Sequence, residues 1–97
     1  MREDNNIPVF FMEGEDASSV YNTEAFHDNI LELVESNLNG TSTETLLCNV
    51  IMEDGTKIVA ELYPDAYHKS LAKSMEFFER EENYEKCKIV KELIEKL

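Results

Sequence analysis

The sequence predicts an α+β fold, a small antiparallel sheet packed by amphipathic helices. Three observations predict it. Two runs of strand formers, Leu46 to Met52 and Thr56 to Leu62, flank Asp54-Gly55. Apolar residues recur three and four positions apart between Phe26 and Leu38. The same helical period returns twice between Tyr67 and Leu97. A chain of 97 residues has room for one core, so residues 1–97 are expected to form a single domain.

Residues 1–6 are polar and expected to be disordered at the terminus. Ile7-Pro8-Val9-Phe10-Phe11-Met12 is short, apolar and rich in strand formers, with Pro8 directing it to an edge. It supplies a candidate edge strand over 7–12. Glu13 to Ser19 is acidic and turn-like. A helix is expected over 23–38, with Phe26, Ile30, Leu33, Val34 and Leu38 on one stripe. Asn22 or Thr23 caps its start, and Gly40 stands where a left-handed C-terminal residue is expected.

The hairpin spans 45–62. Asp54-Gly55 suits a two-residue type I′ turn, which sets Ile51 opposite Ile58, Leu47 opposite Leu62, and Val50 opposite Val59. Both faces are then partly apolar. Pro64-Asp65 opens the next helix, proline being favourable early in a helix. Two helices, 65–80 and 83–97, complete the chain as an antiparallel pair across the polar break Glu81-Glu82-Asn83. Tyr67, Leu71, Ser74, Met75 and Phe78 share one stripe; Cys87, Val90, Ile94 and Leu97 form the matching one.

The net charge is −12. Residues 1–50 hold ten acidic groups and one basic group, Arg2, whereas residues 51–97 hold eleven and eight. Such a field repels phosphates, so direct nucleic-acid binding is not expected, and a basic or nucleic-acid-binding protein partner is. No apolar run approaches the roughly 20 residues of a membrane helix, and no leader pattern opens the chain. The expected location is cytoplasmic. Cys48 and Cys87 then read as two buried thiols.

Nothing in the spacing specifies a reaction. Glu24-x-x-His27 has the spacing of half a carboxylate-bridged metal site, but such a site needs a second copy. His27 therefore reads as a solvent-exposed residue of an acidic helix, and His68 as a surface residue. No phosphate loop, nucleophile elbow or His-Glu-x-x-His run is present. No catalytic residue, metal or cofactor is expected. An enzyme or small-ligand binder would need a pocket lined by His27, His68, Tyr21 or Tyr63.

Leu71-Ala72-Lys73-Ser74-Met75, followed by Asn83-Tyr84-Glu85-Lys86-Cys87-Lys88-Ile89-Val90-Lys91-Glu92-Leu93-Ile94, resembles the UVR motif. That motif is a helical hairpin of excision-repair nuclease subunits and of some protease-associated chaperones and their regulators. Tyr84-Glu85 stands for its aromatic-Glu pair, Cys87 for its first small residue, and Ile94 and Leu97 for its closing aliphatics. Lys88 departs from the second small residue, and Lys91-Glu92 replaces Arg-Asp. The likeness covers residues 71–97 only, and it implies protein–protein contact without catalysis. The whole chain, small and acidic, looks like many bacteriophage accessory proteins.

Phe77 and Ile89 lie off their stripes, and Leu93 falls between. Either they close the core on the second face of the strand hairpin, or they form an exposed patch that docks a partner or a second copy in a homodimer. The candidate protein-binding residues are Phe77, Tyr84, Lys86, Ile89 and Leu93. Glu24, Asp28, Glu32 and Glu35 form a candidate acidic face. The function expected is that of a non-enzymatic interaction protein, an inhibitor or adaptor of phage type. The rival is a nucleic-acid mimic whose carboxylates, with Glu13, Glu15 and Asp16, imitate a row of phosphates and block a basic groove.

Overall fold

Strand β2 (Leu46–Ile51) is the middle of a three-stranded sheet in the order β1-β2-β3, with β1 (Val9–Phe11) and β3 (Lys57–Glu61) at its edges. The computed structural model describes residues 7–12 and 18–97. The expected disorder of 1–6, most of the 13–19 turn, and Glu13, Glu15 and Asp16 lie outside those residues.

The fold is α+β as expected, with one correction to the sheet. β3 pairs antiparallel to β2, but β1 pairs parallel to it, in the register Val9↔Asn49, Phe10↔Val50, Phe11↔Ile51. The sheet is mixed because a whole helix separates β1 from β2, and that crossover returns the chain in the same direction.

The hairpin register also differs by one residue from the expected pairing. Val50 faces Ile58, Asn49 faces Val59 and Ile51 faces Lys57. The loop has three residues, Glu53-Asp54-Gly55, rather than two. Gly55 N–H donates to Met52 O (2.9 Å), Met52 N–H to Thr56 O (2.8 Å), and Gly55 takes φ +89°. This is a turn followed by a left-handed glycine, the other common hairpin closure. Asp54 Oδ1 favours it by accepting from Thr56 N–H at 2.9 Å. A further irregularity between Leu46 and Cys48 lets both Leu47 and Cys48 be buried.

After a single helical turn, α1 (Ser18–Tyr21), which the sequence did not announce, helix α2 (Glu24–Leu38) forms the centre of the molecule. Thr23 caps it by accepting from Phe26 N–H at 3.3 Å. Gly40, at φ +76°, closes it: Gly40 N–H donates to Asn37 O and Thr41 N–H to Ser36 O, a Schellman closure. The buried residues of α2 are Phe26, His27, Asn29, Ile30, Leu31, Leu33 and Val34. At 3.6 residues per turn they cover an arc of about 200°, twice that of a one-sided helix. One side meets β2, where Asn29 Nδ2–H donates to Leu47 O. The other meets the C-terminal pair.

That pair is α3 (Tyr67–Arg80), entered through a 3-10 turn at Pro64–Ala66, and α4 (Tyr84–Glu95). They pack on each other and on α2. The link between them is another Schellman closure, with Glu82 N–H on Glu79 O and Asn83 N–H on Phe78 O. Here the left-handed position, φ 57°, is Glu82 rather than glycine. Asn83 Oδ1 then caps α4 by accepting from Lys86 N–H (3.3 Å). Phe78, Leu33, Leu71, Val34 and Val90 are completely buried where the three helices meet, each contributing roughly 1.5–3 kcal/mol.

The outer face of the sheet keeps its apolar groups exposed. Val9 (50%), Phe11 (71%) and Val59 (51%) lie there beside Ile51 and Lys57. No described helix covers them, because α3 and α4 stack on α2 instead.

Candidate functional site

The residues expected to dock a partner are divided by the fold. Phe77 and Leu93 are 4% and 3% exposed, so they belong to the core and are withdrawn from the docking surface. They do not close on the second face of the strand hairpin either. Phe77 is sealed by α2, its ring stacked on His27 at 4.4 Å, 20° from parallel, and Leu93 joins the buried core cluster. Leu93 replaces the expected Leu97 in the buried stripe of α4, and Leu97 is 49% exposed. Met75, Cys87 and Ile94 are only half-buried. Tyr84 and Ile89 remain exposed.

Of the expected docking residues, Lys86 and Ile89 meet the acidic face, whereas Tyr84 does not line the same groove. Glu24, Glu32 and Glu35 are exposed on the arc of α2 opposite its buried side, and Asp28 lies among them. Lys86 Nζ reaches Asp28 Oδ1 at 2.8 Å. That bond, with help from Glu24 and Glu85, holds the Lys86 ammonium above the usual lysine range. Asp28, Glu32, Glu35, Lys86 and Ile89 together line a shallow groove of about 510 Å³ between α2 and α4. It is an open trough along the two helices.

His27 corrects the expectation most sharply. It is 5% exposed and enclosed by Phe26, Phe77 and Phe78. Its Nε2 lies 2.7 Å from Tyr21 O, and its Nδ1 lies 2.8 Å from Ser74 Oγ. A carbonyl only accepts, so Nε2 carries the proton and Nδ1 accepts from the completely buried Ser74 hydroxyl. Desolvation, foremost, and Arg80 lower the imidazole below its ordinary value of 6.5; the Tyr21 bond and Asp28 act the other way. His27 is therefore neutral at physiological pH and has no nitrogen left for a ligand. The sequence signal was there to read: Ser74 sits on an apolar stripe, and a buried hydroxyl needs a partner.

Other groups offer little chemistry. His68 is exposed. The Cys87 thiol is held up, by desolvation first and Glu79 second, so it stays protonated near neutrality. Among the described residues no three His, Cys, Asp or Glu side chains gather in a metal-binding group, and no helix is long and apolar enough to cross a membrane.

A second concavity opens beside His27, between the N-terminal end of α2, the end of β3 and the outer side of α3. Tyr21 and His27 border it, whereas His68 and Tyr63 do not. Comparison of the chain with protein-family models, with curated proteins and with solved structures finds no match.

Proposed function

We propose that this protein is a non-catalytic interaction protein that captures a basic segment of another protein in the groove between α2 and α4, acting as an inhibitor or adaptor. The observation that carries the reading is the convergence in one trough of Glu32 and Glu35 with the 37% exposed Ile89, beside the Asp28–Lys86 pair. Exposed carboxylates steer a basic partner, and a half-exposed aliphatic group supplies the apolar contact that fixes it. Net charge adds to the steering: the chain carries −12.

The nucleic-acid mimic is the weaker reading. Asp28 is spent on Lys86, and a cation inside the row interrupts the run of negative charge that an imitation of phosphates requires.

The test is photocrosslinking with a benzophenone side chain placed at position 89 and, in a separate protein, at position 11. The expected result is one dominant adduct from position 89, lost when Glu32→Lys and Glu35→Lys are combined and competed by unlabelled protein. Adducts from position 11 alone would move docking to the outer sheet face and overturn the groove. So would a position 89 adduct indifferent to the charge reversals.

A further inference from the structure

The concavity beside His27 is a cleft of about 480 Å³, within the range of roughly 300–1,000 Å³ that small-molecule sites occupy. Phe26, Ile30, Leu47, Leu62 and Phe77 make its floor. It shares no lining residue with the α2–α4 groove.

The mouth is where its chemistry lies. Two of the nine basic residues of this acidic chain, Lys73 and Arg80, stand there on one side of α3. Neither is in an ion pair; among the described residues the one ion pair is Lys86 with Asp28. Arg80 is already oriented. Its guanidinium lies over the Phe77 ring, 5.6 Å from the centroid, and Nη2–H donates to Asn22 Oδ1 at 3.2 Å. A guanidinium has five N–H donors, so most remain available in a fork that matches a carboxylate. Glu61 and Glu76 also stand at the mouth, and one oxygen of Glu61 is occupied by the Tyr63 hydroxyl at 2.6 Å. Two cations against two carboxylates leave the mouth near neutral.

We propose that this cleft binds a small monocarboxylate with an apolar body. The carboxylate is held by the Arg80 fork with Lys73 beside it, and the body lies over Phe26, Ile30 and Leu62. His27 forms the wall without donating to the ligand, since Tyr21 and Ser74 occupy both its nitrogens. Burying the apolar body supplies most of the affinity, and the guanidinium decides the sign of charge that enters.

The experiment is an amide-detected NMR titration of the full chain with phenylacetate and hexanoate, alongside 2-phenylethylamine and 2-phenylethanol of matching size. The acids are expected to give saturable shifts at Asn22, Ser70, Lys73 and Phe77, and to bind more tightly than the amine or the alcohol. Arg80→Gln should weaken acid binding by about tenfold, as expected for loss of a charged hydrogen-bonded contact. Arg80→Lys should fall between, keeping charge without the fork. Arg80 is exposed, so these variants should retain the fold, checked by their unperturbed amide spectra. The proposal is overturned if neither acid shifts cleft signals by about 10 mM. It is equally overturned if the amine binds as well as the acids, a comparison that needs no variant, or if folded Arg80→Gln binds the acids unchanged.

Discussion

Acidifying this protein from about pH 7.5 to about pH 5.5 is expected to destabilise it through His27, and the direction follows from where the imidazole sits. In the fold it is buried against three phenylalanine rings, with Nε2–H on Tyr21 O and Nδ1 accepting from Ser74. A second proton on Nδ1 would displace the Ser74 donor and place a charge where desolvation opposes it. The folded pKa is therefore below the unfolded value of 6.5. Between those two values the unfolded chain binds more protons than the folded one. His27's contribution is full above pH 6.5 and is lost as pH falls through that window. The ceiling is one proton, a slope of about 1.4 kcal/mol per pH unit.

Urea unfolding across this range, in wild type and in His27→Gln, measures the effect. Glutamine does not titrate, so the carboxylate background common to both proteins cancels in the difference. Wild type should lose stability more steeply than the variant below pH 6.5, with the denaturant slope unchanged. Parallel profiles for wild type and His27→Gln would refute the argument, as would an NMR titration placing the folded pKa of His27 at or above 6.5.

Three further outcomes are expected. Ser74→Ala removes the hydroxyl that donates to His27 Nδ1 and should cost roughly 1–3 kcal/mol of unfolding free energy, since it leaves a buried acceptor unsatisfied. Glu82→Gly should raise the urea midpoint, by about 1 kcal/mol of stability, because glycine adopts the φ 57° found there without the Cβ clash; an unchanged or lower midpoint counts against that reading of the α3–α4 link. Phe11→Asp should alter stability by no more than about 0.5 kcal/mol, because the ring is 71% exposed on the outer sheet face; a larger loss in thermal unfolding would mean the ring has a packing partner.

Much of the architecture was legible locally. The caps at Thr23 and Gly40, the hairpin around Asp54-Gly55 and the break at Glu81-Glu82-Asn83 are each written within a few residues. So the two helix closures and the α3–α4 break stand within one or two residues of where the sequence put them, and the hairpin stands at its expected place with its register one residue off. The failures were of two kinds, one local and one of distance along the chain. The hairpin register slipped because Asp54-Gly55 serves a two- or a three-residue loop, and one residue reverses every pairing. The direction of β1 depended on the crossover through α2, which no feature of Ile7–Met12 encodes.

The candidate site was read less well for the same reason. A single-stripe view of α2 placed His27 in solvent, because a one-sided helix has only one neighbour. The helix in fact lies between the sheet and the C-terminal pair, so both its sides are buried and the aromatic groups Phe77 and Phe78 close over the imidazole. The acidic face was correct as an exposed arc, but its pairing with Lys86 joins positions 58 residues apart.

By itself the sequence determined the three long helices, the existence of the hairpin and the carboxylate-rich exterior, because periodicity, caps and turns act over one or two turns of chain. Only the tertiary structure decided that β1 runs parallel to β2, that Phe77 and Leu93 are interior, and that a neutral histidine sits among them. Those outcomes depend on which surfaces meet, and long-range packing selects among faces that local spacing leaves equivalent.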